Sequence, residues 1–98
     1  MTNMPLSDAL LLSYPNPFNA ATVIPYRLAE PGFVRLVLYN TVGQAVRTLV
    51  SAERQAGLHQ AVWNGLDDAG RPLATGVYLS WLTTSGPTAV VGKVALVR

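Results

Sequence analysis

The feature that most constrains this chain is a rhythm. Short runs rich in Val, Ile, Leu, Thr and aromatic residues alternate with Gly, Pro and Asn turn signals, and no ten-residue stretch carries a helical repeat. That spacing predicts an all-β sandwich. The first run, Ala9 to Tyr14, closes at Tyr14-Pro15-Asn16-Pro17-Phe18-Asn19. There Pro15 and Pro17 force their predecessors into extended geometry while Asn16 and Asn19 can bond nearby backbone, so an ordered corner is expected. In Thr22 to Leu28, Ile24, Tyr26 and Leu28 point one way and Val23, Pro25 and Arg27 the other, the period of two of a half-buried strand. Pro25 cannot donate to a ladder, which predicts an edge or a bulge there.

Phe33 to Tyr39 follows, with Val34, Leu36 and Leu38 on one face. Asn40-Thr41-Val42-Gly43 supplies a turn in which Gly43 can take a positive φ, and the chain reverses into Gln44 to Ser51. Glu53 to Leu58 reads as a polar connection. The next run is His59 to Asn64, with Ala61 and Trp63 aligned and Trp63 placed in the core. The segment from Asn64 to Gly76 is a long polar loop with glycines and a proline, the best position for a ligand loop. Val77 to Thr83 puts Tyr78, Ser80 and Leu82 on one face and Val77, Leu79 and Trp81 on the other, so something should cover Trp81. After a Ser85-Gly86-Pro87 turn comes Thr88 to Arg98, with Val94 and Leu96 on one side and Lys93, Ala95 and Val97 on the other. Seven strands joined by hairpin turns and one or two longer crossings give a seven-stranded, immunoglobulin-like Greek-key β-sandwich of two sheets.

A chain of 98 residues suffices for one domain with a self-sufficient core. Residues 1–8 are expected to be a disordered or linker segment and 9–98 the domain. Charged residues are only 12% of the chain, about half the ~25% usual in soluble domains, so the surface must be largely uncharged and adhesive. A net charge of +2 with scattered Arg and Lys makes no electrostatic track, so no nucleic acid partner is expected. With zero Cys, disulfides, thiolate metal sites and Cys nucleophiles are excluded. Met1 to Asp8 has neither a basic start nor a long apolar stretch, so no signal peptide is visible and the numbering is read as starting inside a larger parent protein.

The segments Tyr14-Pro15-Asn16-Pro17-Phe18-Asn19, Thr22-Val23-Ile24 and Tyr26-Arg27-Leu28 together resemble the opening of a bacterial domain family. Val34-Arg35-Leu36, Tyr39-Asn40-Thr41-Val42-Gly43, Val46-Arg47-Thr48-Leu49, Gly57-Leu58-His59, Trp63-Asn64-Gly65, Asp67 through Tyr78 and the Lys93 to Arg98 ending continue the match. In that order they resemble the C-terminal sorting domain of type IX secretion cargo, and they are also similar to the related immunoglobulin-like domain of the flagellar hook-capping protein. The resemblance covers about Ala9 to Arg98. It implies a secretion signal at the end of a larger cargo protein, read in the periplasm, carried across the outer membrane by a translocon with shuttle and sortase partners, and left at the cell surface or released. The family's recognition segment falls on Gly76, Val77 and Tyr78 and on Lys93, Val94, Leu96, Val97 and Arg98. Strand addition at an exposed edge is the expected physical route. Asn40 and Asn64 stand where the family commonly has aspartate, Pro25 interrupts a strand, and Trp81 occupies a place the family often makes polar or basic.

Each candidate also has a purely structural reading. Gly76-Val77-Tyr78 can be a tight entry into a core strand, and Lys93 and Arg98 can be solvated charges guarding an edge. Trp81 with Val77 and Leu79 is either a contact patch or a ring buried beneath a loop. Asp67 and Asp68 lack the alternate spacing and distal glutamate of a calcium loop, and turn hydrogen bonds account for them, so no metal is expected. His59 is the only histidine and has no second ligand near it in sequence. One His and five acidic residues assemble no catalytic set, so the chain is expected not to be an enzyme, to need no cofactor and to take no small-molecule substrate. The alternative to a sorting signal is an immunoglobulin-like structural or interaction module, either hook-cap-like or an accessory spacer or sugar-contacting sandwich of a secreted hydrolase.

Overall fold

The structure is a computed structural model that describes residues 7–86 and 89–98. Most of the segment read as a linker, and the Pro87-Thr88 end of the last turn, lie outside the described residues. Among the described residues there are seven strands: β1 (Ala9–Leu10), β2 (Thr22–Leu28), β3 (Gly32–Tyr39), β4 (Ala45–Arg54), β5 (Gly57–Trp63), β6 (Gly76–Thr83) and β7 (Val90–Leu96). They form two antiparallel sheets, one ordered β1-β2-β5 and the other β4-β3-β6-β7. The chain crosses between sheets after β2, after β4 and after β5, which is the Greek-key sandwich that the turn spacing predicts. Its fourth strand lies beside the third. It does not extend the first sheet, as the fourth strand of a constant-type immunoglobulin domain does.

The alternation read from the sequence sets the two faces. Ile24, Tyr26 and Leu28 of β2, Val34, Leu36 and Leu38 of β3, Ala61 and Trp63 of β5, Tyr78 and Leu82 of β6, and Val94 and Leu96 of β7 meet between the sheets. Trp63 sits at the centre. Its ring packs against Phe18 at 5.2 Å and Tyr78 at 5.3 Å, and its indole N–H donates to the Leu66 carbonyl at 3.0 Å. A ring of this size buried with its one polar atom satisfied is among the strongest single contributors to a small core. Gly92 is also fixed by packing. It lies opposite the buried Ser80, and a Cβ there would come within 3.0 Å of the Ser80 hydroxyl.

Three boundaries differ from the sequence reading. The first strand is paired only at Ala9 and Leu10, not to Tyr14. Beyond it Leu11 N–H still donates to the Pro25 carbonyl, and Tyr14 pairs with Val23, so three steps on one side match two on the other. The extra residue is a bulge that throws Leu12 into solvent. The disruption expected from Pro25 therefore appears in the facing segment, where the missing proline N–H would have bonded, while Pro25 itself stays in unbroken register with Gln60 of β5. The polar connection from Glu53 to Leu58 shrinks to Gln55 and Ala56, because Glu53 and Arg54 pair with Phe33 and Gly32 as the end of β4. The final strand spans Val90–Leu96. Ser7 and Asp8 are tied to the domain: Asp8 accepts from Ala29 N–H and the Thr84 hydroxyl, and Arg27 donates to the Ser7 carbonyl.

Candidate functional site

The recognition residues singled out from the sequence divide by strand parity. Tyr78, Val94 and Leu96 face the core and are buried, so no partner reaches their side chains while the domain is folded. Val77, Trp81 and Lys93 face outward on the four-stranded sheet. Register places Val37, Trp81 and Val91 in one row across β3, β6 and β7, Tyr39, Leu79 and Lys93 in the next, and Val77 beside Ala95 in a third. The Tyr39 ring meets the Trp81 ring edge-on at 5.8 Å, and Trp81 keeps 39% of its surface exposed. Trp81 is thus half covered, by a neighbouring strand instead of a loop. Under this layer Val37 is only 4% exposed although it lies outside the main core. Val37, Tyr39 and Val91 were absent from the sequence reading of this face; the signal was the second, outward set of apolar residues in Phe33 to Tyr39. A shallow depression lined by Tyr39, Asn40, Thr41, Gly43, Leu79 and Trp81 lies at its end.

Strand addition at β7 meets an obstacle, because its outer edge is already occupied. The Asn16 amide donates to the Lys93 carbonyl at 3.2 Å and its carbonyl accepts from Ala95 N–H at 2.9 Å. Phe18 then continues as a strand would, donating to the Ala95 carbonyl and accepting from Val97 N–H. In the corner of Pro15, Asn16, Pro17 and Asn19, both the Tyr14-Pro15 and Asn16-Pro17 bonds are cis and the Thr22 hydroxyl donates to the Pro15 carbonyl. Its role is to cap β7 from Lys93 to Val97. Val97 is exposed beyond the strand, against this cap.

Gly76 opens β6 opposite Leu96, and the nearby Tyr78 carries out a further task. Its hydroxyl donates to the Ala74 carbonyl at 2.6 Å, four residues back, the tyrosine-corner device that fixes the crossing into this strand of immunoglobulin-like folds. Burial pushes the Tyr78 phenol pKa up, with the Arg98 guanidinium pulling the other way. Arg98 is not a free guard of the edge. It donates from its side chain to the carbonyls of Leu73 and Gly65, and from its backbone to the Thr75 hydroxyl. Gly65 has a φ of 77°, and a Cβ there would lie 2.9 Å from the guanidinium, so this staple requires glycine.

The loop from Asn64 to Gly76, read as a ligand loop, is a closed hairpin. Leu66 bridges Pro72, and Leu73 N–H donates to the Gly65 carbonyl. The Asp67 carboxylate accepts from the backbone of Arg71 and Ala69 and from the Arg71 side chain; the Arg71 backbone bond first of all holds its pKa below the usual carboxylate range. Asp68 accepts from Thr48 N–H and its own N–H donates to the Val46 carbonyl, which caps the first half of β4. Both aspartates are therefore occupied within the fold. Asn40 and Asn64, standing where aspartate is common in the resembling family, use their side-chain carbonyls as an aspartate would: Asn40 accepts from Val42 and Gln44, Asn64 from Leu66. Gly43 takes the predicted positive φ, at 88°. His59 stacks on Tyr26 at 5.3 Å and bonds the Gln55 carbonyl. Among the described residues, no three His, Cys, Asp or Glu side chains cluster as a metal site would require.

The fold and these surfaces define an immunoglobulin-like β-sandwich domain whose distinctive features are faces and edges. The chain belongs to the FlgD Ig-like domain family, which matches residues 20–86. The β7-capping corner and β7 itself lie outside the matched stretch. No curated protein matches the chain. Among solved structures it is similar to PorZ, described as an essential bacterial surface component of the type-IX secretion system of Porphyromonas gingivalis, at 21% identity and a TM-score of 0.58. The similarity covers 89% of this chain and 11% of the PorZ chain, so the chain spans a small part of that protein's length and the likeness is one of fold.

Proposed function

We propose that this domain is a non-catalytic recognition module of a larger exported protein, read by the type IX secretion machinery at the outer membrane. Its partners are then the translocon and its shuttle and sortase proteins, and its place is the cell surface, reached through the periplasm. The observation that carries this reading is the outer face of the four-stranded sheet, where Val77, Leu79, Trp81 and Val91 form an apolar surface with Lys93 among them. An apolar surface with a cation beside it suits protein contact better than chemistry on a small substrate. The resemblance to sorting domains and the fold shared with PorZ are consistent with that setting. The recognition surface in this reading is Val77, Trp81 and Lys93, while Gly76, Tyr78 and Arg98 shape the loop behind it.

The test fuses residues 9–98 to a periplasmic reporter in a host with type IX secretion. The unmodified fusion should reach the cell surface, and Val77→Glu with Trp81→Glu should hold it in the periplasm with the domain still folded by circular dichroism. Equal surface display of the two fusions would overturn the reading. The family match favours a second reading, in which the same face packs against a neighbouring domain of the parent protein as a structural module. In that case neither fusion is exported.

A further inference from the structure

The four outer edges of the two sheets are treated very differently. β7 is capped by Asn16 and Phe18 and carries Lys93; β4 has two register shifts and the Asp68 cap; β1 is two residues long. These are recognised ways of blocking edge-to-edge pairing. β5 has none of them. Its seven residues, Gly57-Leu58-His59-Gln60-Ala61-Val62-Trp63, contain no proline and no Asp, Glu, Lys or Arg, and their register with β2 is unbroken.

Hydrogen-bond direction identifies which groups β5 leaves open. On β2, Val23 exchanges bonds with Tyr14 and the Pro25 carbonyl accepts from Leu11, so Val23, Pro25 and Arg27 turn their main-chain groups toward the β1 side. The alternate residues Thr22, Ile24, Tyr26 and Leu28 then face β5, opposite Trp63, Ala61, His59 and Gly57. Leu58, Gln60 and Val62 are left with N–H and C=O groups pointing outward, and no described residue bonds them. Their side chains lie on the outer face, Leu58 at 70% and Val62 at 59% exposure.

We propose that this edge pairs with the same edge of a second copy of the chain, antiparallel about a twofold axis at Gln60. Leu58 and Val62 are each two residues from Gln60, so this register sets Gln60 against its counterpart and Leu58 against Val62 on both sides of the axis. Each facing pair exchanges two N–H···O bonds in such a ladder, and all the outward groups of both copies are satisfied. The same register makes two apolar cross-strand contacts and brings no like charges together. This self-complementarity selects a second copy over an unrelated strand. Three strands from each copy become one continuous sheet, on the side of the sandwich opposite the Trp81 face. A contact this small makes a weak, concentration-dependent dimer.

Sedimentation equilibrium of the full chain tests it. We expect a monomer–dimer equilibrium with a dissociation constant no weaker than on the order of 1 mM. Gln60→Lys, which sets two charges face to face, and Gln60→Pro, which removes the outward N–H, should each weaken it at least tenfold; both also remove the Gln60 side-chain bond to the Tyr14 hydroxyl. The chain has no native cysteine, so Gln60→Cys supplies a single thiol at the axis that a short bis-maleimide should join, whereas Val77→Cys on the far sheet should not be joined. A chain that stays monomeric into the millimolar range overturns the proposal and leaves the edge to an extended segment of another protein. A dimer insensitive to both Gln60 substitutions, or cross-linked at Val77→Cys and not at Gln60→Cys, overturns it equally.

Discussion

The outer strands β7 and β5 present the same chemical problem, a row of main-chain donors and acceptors with no neighbour, and the chain treats them in opposite ways. Along β7 the Asn16 amide and the Phe18 backbone take up the Lys93 carbonyl, both main-chain groups of Ala95 and the Val97 N–H, and Phe18 holds that segment down by inserting its ring beside Trp63. Along β5 no described residue does so. The difference teaches that the edge resembling a recognition segment is the closed one. A partner that adds a strand at Lys93 to Val97 must first displace the corner, whereas one that adds at β5 displaces no described segment.

The largest way to break this contrast is to remove the anchor of the cap. Phe18→Ala should destabilise the domain by about 3–5 kcal/mol in chemical denaturation, as expected for a buried aromatic. If it still folds, hydrogen exchange at Ala95 and Val97 should rise to the fast rates expected for Leu58, Gln60 and Val62 in the dilute monomer; continued protection would show that β7 is closed by something other than the corner. A smaller effect comes from Asn16→Ala, which leaves the ring in place and removes only the two bonds to Lys93 and Ala95. Two partly exposed hydrogen bonds are worth about 1–2 kcal/mol together, and exchange should quicken at Ala95 while Val97 stays slow. Smallest is the guard on the β4 side, where Asp67 fixes the hairpin that carries Asp68. Because its folded pKa lies below the ordinary 3.8, its contribution is fully present above that value and is lost as pH falls below it. Asp67→Asn should therefore flatten the acid limb of the stability-versus-pH curve below about pH 4; an unchanged limb would show that the hairpin holds without the carboxylate.

Most of the fold could be read from alternation. β2, β3, β6 and β7 each place their core residues on one side at a period of two, and Trp63 could be placed because it aligns with Ala61. What could not be read depended on partners distant in sequence. Glu53 and Arg54 look like a connector until Phe33 and Gly32 pair with them, and Leu12 looks like a strand residue until one extra residue opposite Pro25 turns it outward. The candidate site divides the same way. Trp81 and Val77 announce an outer apolar face through their own strand, but Val37, Tyr39 and Val91 join it only through the register of three strands. Arg98 misled most, since a terminal basic residue reads as a solvated charge and only the fold brings the carbonyls of Gly65 and Leu73 to it.

The two ends of the described chain are also fastened at opposite poles of the sandwich. Asp8 grips Ala29 and Thr84 where β2 and β6 finish, and Arg98 grips the loop from which β6 starts. The Phe18 bridge to Leu96 runs parallel to β7. A tension applied between these ends would therefore slide the corner along β7 lengthwise, with the bonds of Asn16 and Phe18 sharing the load together. Pulled in that direction, these bonds are strained together and not one after another.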